Sequence, residues 1–308
     1  MTIAATQRPL SSWELTAPER ILVATDLTDI DYLLGNAIAQ SQFGGASLIL
    51  LHVIPPVESV SLEDSVSIIT EAAKAKADKA FRHAEEVLGE ASAQARAAGV
   101  DCEIMIQSGH PSQVVTEVAS RLQAGRLILG THGRRNIKKF FLRSAAHEIL
   151  KSTQVPVWTI GPHARPFQPG RPGRILHPVS LSPGYQESAR LALTLAKFYQ
   201  AHVTLLHVVP RDVQDSSASA RLAEWTTAEL GRLIPENEAW GSTAMIMVEA
   251  GEIVPEILRA AEMLQPDLIV MGSNPDTAFW PIYTNNTVYN VIAEAECPVL
   301  TLQHAQAG

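Results

Sequence analysis

The residues of this chain best suited to binding an anion are two glycines and, nine residues later, an arginine–serine pair. Gly130 and Gly133 follow an apolar segment, and Arg143 and Ser144 come where a helix should begin. A glycine turn lets backbone N–H groups approach an anion closely, and the N-terminus of a helix adds unsatisfied donors and a favourable dipole. This spacing predicts a phosphate site.

An aspartate ends the first apolar segment, ILVATD at 21–26, which has the composition of a buried strand. In open α/β sheets, ligands bind outside the carboxyl ends of the strands, at the point where the strand order reverses. If Gly130 ends a neighbouring strand, Asp26 lies across the same crevice. We therefore take Asp26 as the second candidate for ligand binding.

Strands and helices alternate along the first half of the chain, and these elements must position the candidate residues. Continuous apolar, β-branched segments predict strands, whereas Ala-, Glu- and Lys-rich segments or apolar residues at helical spacing predict helices. This order is typical of a doubly wound α/β domain with a parallel sheet. The predicted strands are 21–26, 47–54, 102–107, 126–131 and 155–160, and the predicted helices are 31–42, 64–98, 112–123 (with Ser112 as N-cap) and about 144–151.

The second half of the chain repeats the first. A repeat of about 140 residues is far longer than a solenoid repeat, so each copy should be a whole domain. We predict domains at 15–161 and 174–304, joined by a proline- and glycine-rich linker at 162–173. The matches are ILVATD with ILHPVS at 175–180, LLHVIP at 50–55 with LLHVVP at 205–210, RLILGTHG at 126–133 with DLIVMGSN at 267–274, and QVPVWTI at 154–160 with ECPVLTL at 296–302.

Composition excludes several classes of protein. The net charge of −8 argues against a nucleic-acid partner, and the lack of an apolar stretch of about 20 residues argues against a membrane span. Cys102 and Cys297 occupy non-equivalent positions, which favours reduced thiols, and the N-terminus does not resemble a signal peptide. The 10 histidines show no metal-binding spacing. We expect a cytoplasmic protein without a metal site.

The segments ILVATD, LLHVI, SGHPSQVV, RLILGTHGRRNIKKFFLRSAAHEIL and VPVWTI resemble the universal stress protein domain, and the resemblance covers nearly all of both copies. It implies two doubly wound domains, each with a five-stranded parallel sheet of order 3-2-1-4-5. Nucleotide-binding members of that family carry Gly-x2-Gly-x9-Gly-Ser/Thr after strand four and an aspartate ending strand one. The implied ligand is ATP, with Mg²⁺ as a candidate companion ion. By resemblance, Asp26, Ala24 and Thr25 would contact the adenosine, Val53 would line the adenine pocket, and Gly130, Gly133, Ser144 and Ala145 would hold the ribose and phosphates.

One position in the first copy departs from that pattern, because Arg143 replaces the third glycine. If the position needs positive φ or tight approach to a phosphate, an arginine there is costly. If the backbone is ordinary, the amide survives and the guanidinium adds a phosphate clamp. The five positive charges at 134–143 are either a solvated loop or an attractor for a triphosphate.

The second copy departs further. Asp26 is answered by Ser180, Gly133 by Pro275, and the arginine–serine pair by Asn285 and Asn286. Proline cannot donate an N–H and stiffens the loop that must wrap a phosphate. We expect a degenerate second site.

These features favour an adenine-nucleotide-binding sensor or adaptor in the stress response, with an unidentified protein partner, and not an enzyme. A slow ATP hydrolase is disfavoured because the chain has no Gly-Lys-Ser/Thr loop, and no nucleophile elbow surrounds Ser144. His132 fits a solvated loop better than a general base. A nucleotide-free interaction protein with both pockets closed is the other alternative, favoured by Arg143 and Ser180.

The fifth strand of each copy is strongly apolar and, by the order 3-2-1-4-5, lies at the edge of its sheet. An exposed apolar edge is an aggregation hazard unless it is paired or covered. We predict that 155–160 and 297–302 pair antiparallel, so that the two copies form an intramolecular pseudo-dimer with Trp158 near the seam. Pairing with a second chain, which would give a homodimer, is the alternative.

Overall fold

The computed structural model describes residues 17–56, 66–131, 141–166, 170–182, 184–209, 216–235, 244–273 and 285–303. These residues form ten strands and eight helices. Contacts group Pro18–Ser152 into one compact unit, here the N-terminal unit, and Thr153–Gly308 into a second, the C-terminal unit. The predicted α/β class with a mostly parallel sheet is confirmed.

The N-terminal unit alternates strictly between strand and helix. Its strands are parallel and lie in the order β3-β2-β1-β4. The apolar side chains of β1, β2 and β4 are buried, as expected for strands covered on both faces. The elements are β1 (Arg20–Thr25), α1 (Ile30–Gly44), β2 (Ser47–Ile54), α2 (Val66–Ala97), β3 (Cys102–Ser108), α3 (Pro111–Arg121), β4 (Arg126–Gly130) and α4 (Phe141–Ser152).

Glycines follow the first two helices and end them. Gly45 after α1 has φ of 74° and Gly99 after α2 has φ of 82°, a left-handed conformation that glycine adopts without steric cost. The predicted N-cap of α3 was wrong. Helix α3 begins at Pro111, which suits the first helical position because its missing N–H needs no partner there. Ser112 lies inside the helix, and its hydroxyl donates to the Glu148 carboxylate.

The C-terminal unit contains the second copy and one additional strand. Its strands lie in the order β5-β10-β9-β6-β7-β8, and the last five reproduce the predicted order 3-2-1-4-5 in reverse listing. Helix α6 has 16 residues where α2 has 32, in keeping with the shorter connection in the second copy. The elements are β5 (Val157–Ile160), β6 (Arg174–Pro178), α5 (Tyr185–Tyr199), β7 (His202–Val209), α6 (Ser216–Gly231), β8 (Ala244–Ala250), α7 (Ile253–Leu264), β9 (Leu268–Ser273), α8 (Asn285–Glu294) and β10 (Val299–Gln303).

Strand β5 is the point where the structure differs in detail from the expectation of two five-stranded units. It groups with the C-terminal unit and pairs antiparallel with β10, with Trp158 opposite Leu300 and Val157 opposite Thr301. Both strands are fully buried. The predicted antiparallel pairing of the two apolar edges is confirmed, and its physical cause is the burial of two apolar edges that would otherwise be exposed. The pseudo-dimer as a whole stays a prediction.

Gly161, directly after β5, lets the end of this strand pack closely against α8. A Cβ on Gly161, directly after β5, would overlap the backbone carbonyl oxygen of Ile292 in α8. Only glycine allows this close approach of strand end to helix, so the position constrains the sequence beyond its hydrophobic pattern.

No helix in the described ranges is long and apolar enough to cross a membrane. Cys102 and Cys297 are both buried free thiols, and burial raises the pKa of Cys297 to about 12. Neither thiol is activated for chemistry.

Candidate functional site

Five of the predicted site residues lie at the carboxyl ends of three neighbouring strands. Ala24 and Thr25 end β1, Asp26 follows directly, Val53 is next to last in β2, and Gly130 ends β4. Strand β1 lies between β2 and β4, and all three run parallel. Their ends therefore meet at one edge of the sheet, where the chain connections leave in opposite directions. Ala24 and Asp26 are part-exposed there, whereas the other three are buried.

The carboxylate of Asp26 is held in a defined orientation by the turn that follows β1. Its Oδ1 accepts hydrogen bonds from the Thr28 backbone N–H at 2.8 Å and from the Thr28 hydroxyl at 2.7 Å. Aspartate commonly bonds to the backbone two residues ahead in such turns. Both donors meet the same oxygen, and no contact from the described residues engages Oδ2. That oxygen is therefore in a position to accept a hydrogen bond from a ligand.

The same turn contains a strained residue that recurs in the second copy. Leu27 has φ of 75° and Leu181, at the equivalent position, has φ of 53°. A non-glycine residue in this region costs of order 1 kcal/mol or more and persists only where its surroundings impose it. In the first copy the Leu27 N–H donates to the Thr25 hydroxyl at 2.9 Å, which holds the turn closed.

The structure reveals a second carboxylate, Asp29, which the sequence analysis missed. Asp29 precedes α1 and is only 4% exposed. The Thr25 hydroxyl donates to its Oδ1 at 2.6 Å, while Oδ2 has no hydrogen-bond partner. A Cβ on Gly130 would overlap that Oδ2 and also approach Leu33 at 3.3 Å. In the described structure, then, the Asp29 side chain is one reason why position 130 must be glycine.

The surroundings of Asp29 favour its neutral form. Burial raises its pKa to about 7, and the nearby negative charge of Asp26 contributes in the same direction, whereas the hydrogen bond from Thr25 opposes the shift. A carboxyl group whose second oxygen has no donor is better accommodated as an acid than as an anion. The crevice therefore contains two acidic residues in different situations, a part-exposed Asp26 and a buried Asp29.

Two histidines at matched strand positions have a structural role. The Nδ1 atom of His52 lies 2.9 Å from the Thr25 carbonyl oxygen, and that of His207 lies 2.7 Å from the Val179 carbonyl oxygen. Burial lowers the pKa of both rings, so they are neutral near pH 7. Each ring ties the end of the first strand of its copy to the second strand.

Helix α4 begins earlier than predicted, at Phe141, so Arg143 and Ser144 are its third and fourth residues. The N–H groups of the residue before a helix and of its first three residues lack partners within the helix. The Arg143 amide is the last of this set, and the Ser144 amide is the first that bonds within α4. Arg143 has helical backbone, which fits the alternative of an ordinary backbone at that position, and its role toward a phosphate stays a prediction. Ala145 follows and is half-buried. The side chains of Arg143 and Ser144, together with Gly133, His132 and the basic loop, lie outside the described residues.

The second copy has the same turn without its acids. The Ser180 and Ser182 hydroxyls lie 2.6 Å apart, and the Ser182 N–H donates to the Ser180 hydroxyl at 3.3 Å. Gly272 is retained within β9, and Asn285 begins α8. Pro275 lies outside the described residues. The turn thus keeps its backbone geometry while losing the carboxylates that would contact a ligand.

The crevice has no recognisable metal centre in the part of the chain that the structure describes. No group of three or more histidine, cysteine, aspartate or glutamate side chains comes together there. Asp29 Oδ2 is enclosed against Gly130 and leaves no space for an ion.

Comparison with known proteins places both halves of the chain in one family. A family model described as the universal stress protein family matches residues 18–161 and again residues 172–303. A universal stress protein of Methanocaldococcus jannaschii is 31% identical over 140 residues, which are 42% of this chain and 81% of that protein. A solved universal stress protein from Archaeoglobus fulgidus has a TM-score of 0.64 at 20% identity and covers 93% of this chain and 99% of its own.

A solved protein of unknown function from Pseudomonas aeruginosa has a TM-score of 0.60 at 18% identity and covers 94% of each chain. At these identities, the structural likeness shows the fold alone. The tandem arrangement predicted from the internal repeat is confirmed by the two separate family matches.

Proposed function

The chain belongs to the universal stress protein family, and we propose that its N-terminal unit binds an adenine nucleotide, with ATP as the first candidate. The observation that supports this most is the carboxyl edge formed by β1, β2 and β4. There Asp26 presents a carboxylate oxygen that no described residue engages, beside the glycine that ends β4. The family resemblance suggests the ligand, and the geometry of this edge supports it as the binding place.

The residues present suit the two ends of such a ligand. Asp26 would accept a hydrogen bond from a hydroxyl or amino group of the adenosine, and the apolar Val53 would contact the base. The backbone amide of Arg143, at the start of α4, would donate to a phosphate oxygen, and the helix dipole favours the negative charge there. The phosphates of ATP would supply the negative charge at this site. A Mg²⁺ ion that accompanies ATP would be held mainly by those phosphates.

We further propose that the protein acts by binding, as a sensor or adaptor in the stress response, rather than by turnover. Hydrolysis would require a group that orients a water molecule for attack on the terminal phosphate. Asp29 is buried and favours its neutral form, and Asp26 is bonded into a turn. A nucleotide-free interaction protein remains the competing function, since Ser180 replaces the aspartate in the second copy.

The stoichiometry of binding tests this proposal directly. Calorimetric titration of the full chain with ATP should give about one nucleotide per chain, because only the first copy keeps the aspartate. Native mass spectrometry of freshly purified protein should show the same count if the nucleotide co-purifies. Two equivalent sites would mean that the second copy is functional, and the absence of any binding would favour the nucleotide-free function.

Removing the carboxylate of Asp26 should weaken nucleotide binding without unfolding the protein. We expect Asp26→Ala to cost about 1–3 kcal/mol of binding free energy, the usual loss for a hydrogen bond to a charged group. Affinity is measured by the same titration and folding by circular dichroism. Asp31→Ala is the matched control, because Asp31 is an exposed acid in the first turn of α1. If Asp26→Ala binds like the unmodified chain, the adenosine end lies elsewhere.

A further inference from the structure

The C-terminal unit contains an apolar cavity at the opposite edge of its sheet, where β6, β7 and β8 begin. Its volume is about 280 Å³. The cavity is lined by the first residues of these three strands and by the end of α7, including Leu176, Thr204, Met245 and Leu264. This volume lies just below the range of about 300–1,000 Å³ that is typical of small-molecule pockets, so the cavity has room only for a small ligand.

The first copy of the repeat shows what the cavity replaces. Thr204 is equivalent to Ile49, and Met245 is equivalent to Glu103, as the shared strand pairings show. Both positions are buried, and the Ile49 side chain is larger than that of Thr204. Glu103 is exposed and charged, whereas Met245 is apolar and 44% exposed. At these two positions the second copy therefore has a smaller buried residue and an uncharged apolar one.

The two copies also differ in the hydrogen bonds of an arginine at this edge of the sheet. In the N-terminal unit, a guanidinium nitrogen of Arg20 donates to the Leu122 carbonyl at 3.0 Å. Arg174, its counterpart, lines the cavity and is exposed, and the described residues offer its guanidinium no acceptor. The carbonyl of Pro266, which also lines the cavity, accepts from Arg165 at 2.8 Å.

Arg174 lines the apolar cavity, and Arg165 bonds to the carbonyl of Pro266 in its wall. The neighbouring carboxylate of Asp267 accepts at Oδ2 from the backbone N–H groups of Gly173 and Arg174, both at 2.9 Å. Methionine at the rim of a site is adaptable and accommodates apolar ligands of differing shape. The chemistry complementary to this arrangement is an apolar body with a single anionic end.

We propose that this cavity binds a small amphipathic carboxylate. The apolar chain or ring lies against Leu176, Met245 and Leu264, and the carboxylate meets the guanidinium of Arg174. The cavity lies where the strands of the second copy begin, whereas the proposed nucleotide site lies where the strands of the first copy end. The two proposals therefore do not depend on each other. The domain that has lost its nucleotide residues would then respond to a different small molecule.

Octanoate is the probe that tests this proposal. Titration of the full chain should show saturable binding, with a shift of the Met245 methyl resonance in protein labelled at methionine methyl groups. Arg174→Gln should weaken octanoate binding roughly tenfold or more, because it removes a charge-assisted hydrogen bond. Octanol, which lacks the charge, should bind more weakly and should be indifferent to Arg174→Gln.

Two substitutions convert the second copy to the form of the first. Thr204→Ile should abolish octanoate binding by filling the cavity, and Met245→Glu should do so by placing a negative charge at the rim without disturbing the core. Glu103→Gln, at the equivalent position of the first copy, is the control and should change nothing. The proposal is overturned if octanoate does not bind at millimolar concentration, or if binding survives both Thr204→Ile and Met245→Glu. Neither result bears on ATP binding.

Discussion

At pH 8, replacing Asp29 with asparagine should stabilise the N-terminal unit by about 2–4 kcal/mol. The pKa of Asp29 is raised from 3.8 to about 7, mainly by burial, and each pKa unit corresponds to about 1.4 kcal/mol. Asparagine has the shape of the protonated acid and still accepts the hydrogen bond from the Thr25 hydroxyl. It therefore keeps the neutral arrangement at any pH and avoids burying a charge.

The direction of the pH effect follows from which state binds the proton more tightly. Between pH 3.8 and about 7, the folded state holds the Asp29 proton and the unfolded state has released it. The contribution of Asp29 to stability is therefore fully present below pH 3.8, falls as the pH rises towards about 7, and is flat above that. Asp29→Asn should remove this decline, so the stabilities of the two proteins should diverge between pH 5 and about pH 7 and then differ by a constant amount.

Hydrogen exchange followed by mass spectrometry measures this effect locally, in peptides from β1 and β4. Asp31→Asn is the matched control, because Asp31 lies only two positions further along but is exposed. It should leave the pH dependence unchanged. If the unmodified chain shows no loss of protection in β1 and β4 relative to Asp29→Asn as the pH rises, Asp29 is accommodated as an anion and the interpretation of its environment is wrong.

The sequence predicted the parts of this crevice that depend on local pattern. Continuous apolar segments predicted β1, β2 and β4. Because the carboxyl ends of parallel strands lie at the same edge of a sheet, Asp26 and Gly130 could be predicted to lie near each other. Asp29 could not be found in this way, because its importance arises from a contact with Gly130, which lies about a hundred residues further along the chain. Its sequence context, a polar residue before a helix, is that of an ordinary N-cap.

The allocation of β5 was beyond sequence reasoning for a similar reason. Its apolar pattern predicted a strand and a paired edge, both of which are found. Which compact unit the strand joins depends on the sum of non-local contacts, and a periodic pattern carries no information about that sum. The positive φ of Leu27 and Leu181 could not be predicted either, because leucine rarely adopts this conformation.

The pairing of β5 with β10 should make the chain highly sensitive to charge at Val157. This side chain is 2% exposed, lies opposite Thr301, and belongs to a strand that is buried along its whole length. We expect Val157→Asp to cost about 3–5 kcal/mol of unfolding free energy, because an uncompensated charge would be buried between two apolar strands. The two apolar edges would then separate, and the protein would aggregate or lose its cooperative thermal transition.

Thermal unfolding and size-exclusion chromatography distinguish this effect from the ordinary cost of aspartate in a strand. Ile104→Asp is the matched control, because Ile104 also lies in a strand but is 39% exposed. It should cost at most about 1 kcal/mol, the span of intrinsic strand propensities. Val157→Thr should fall in between, because it adds a hydroxyl of similar shape without a charge. If Val157→Asp melts like Ile104→Asp and stays monodisperse, the paired edge is not what holds this part of the protein together.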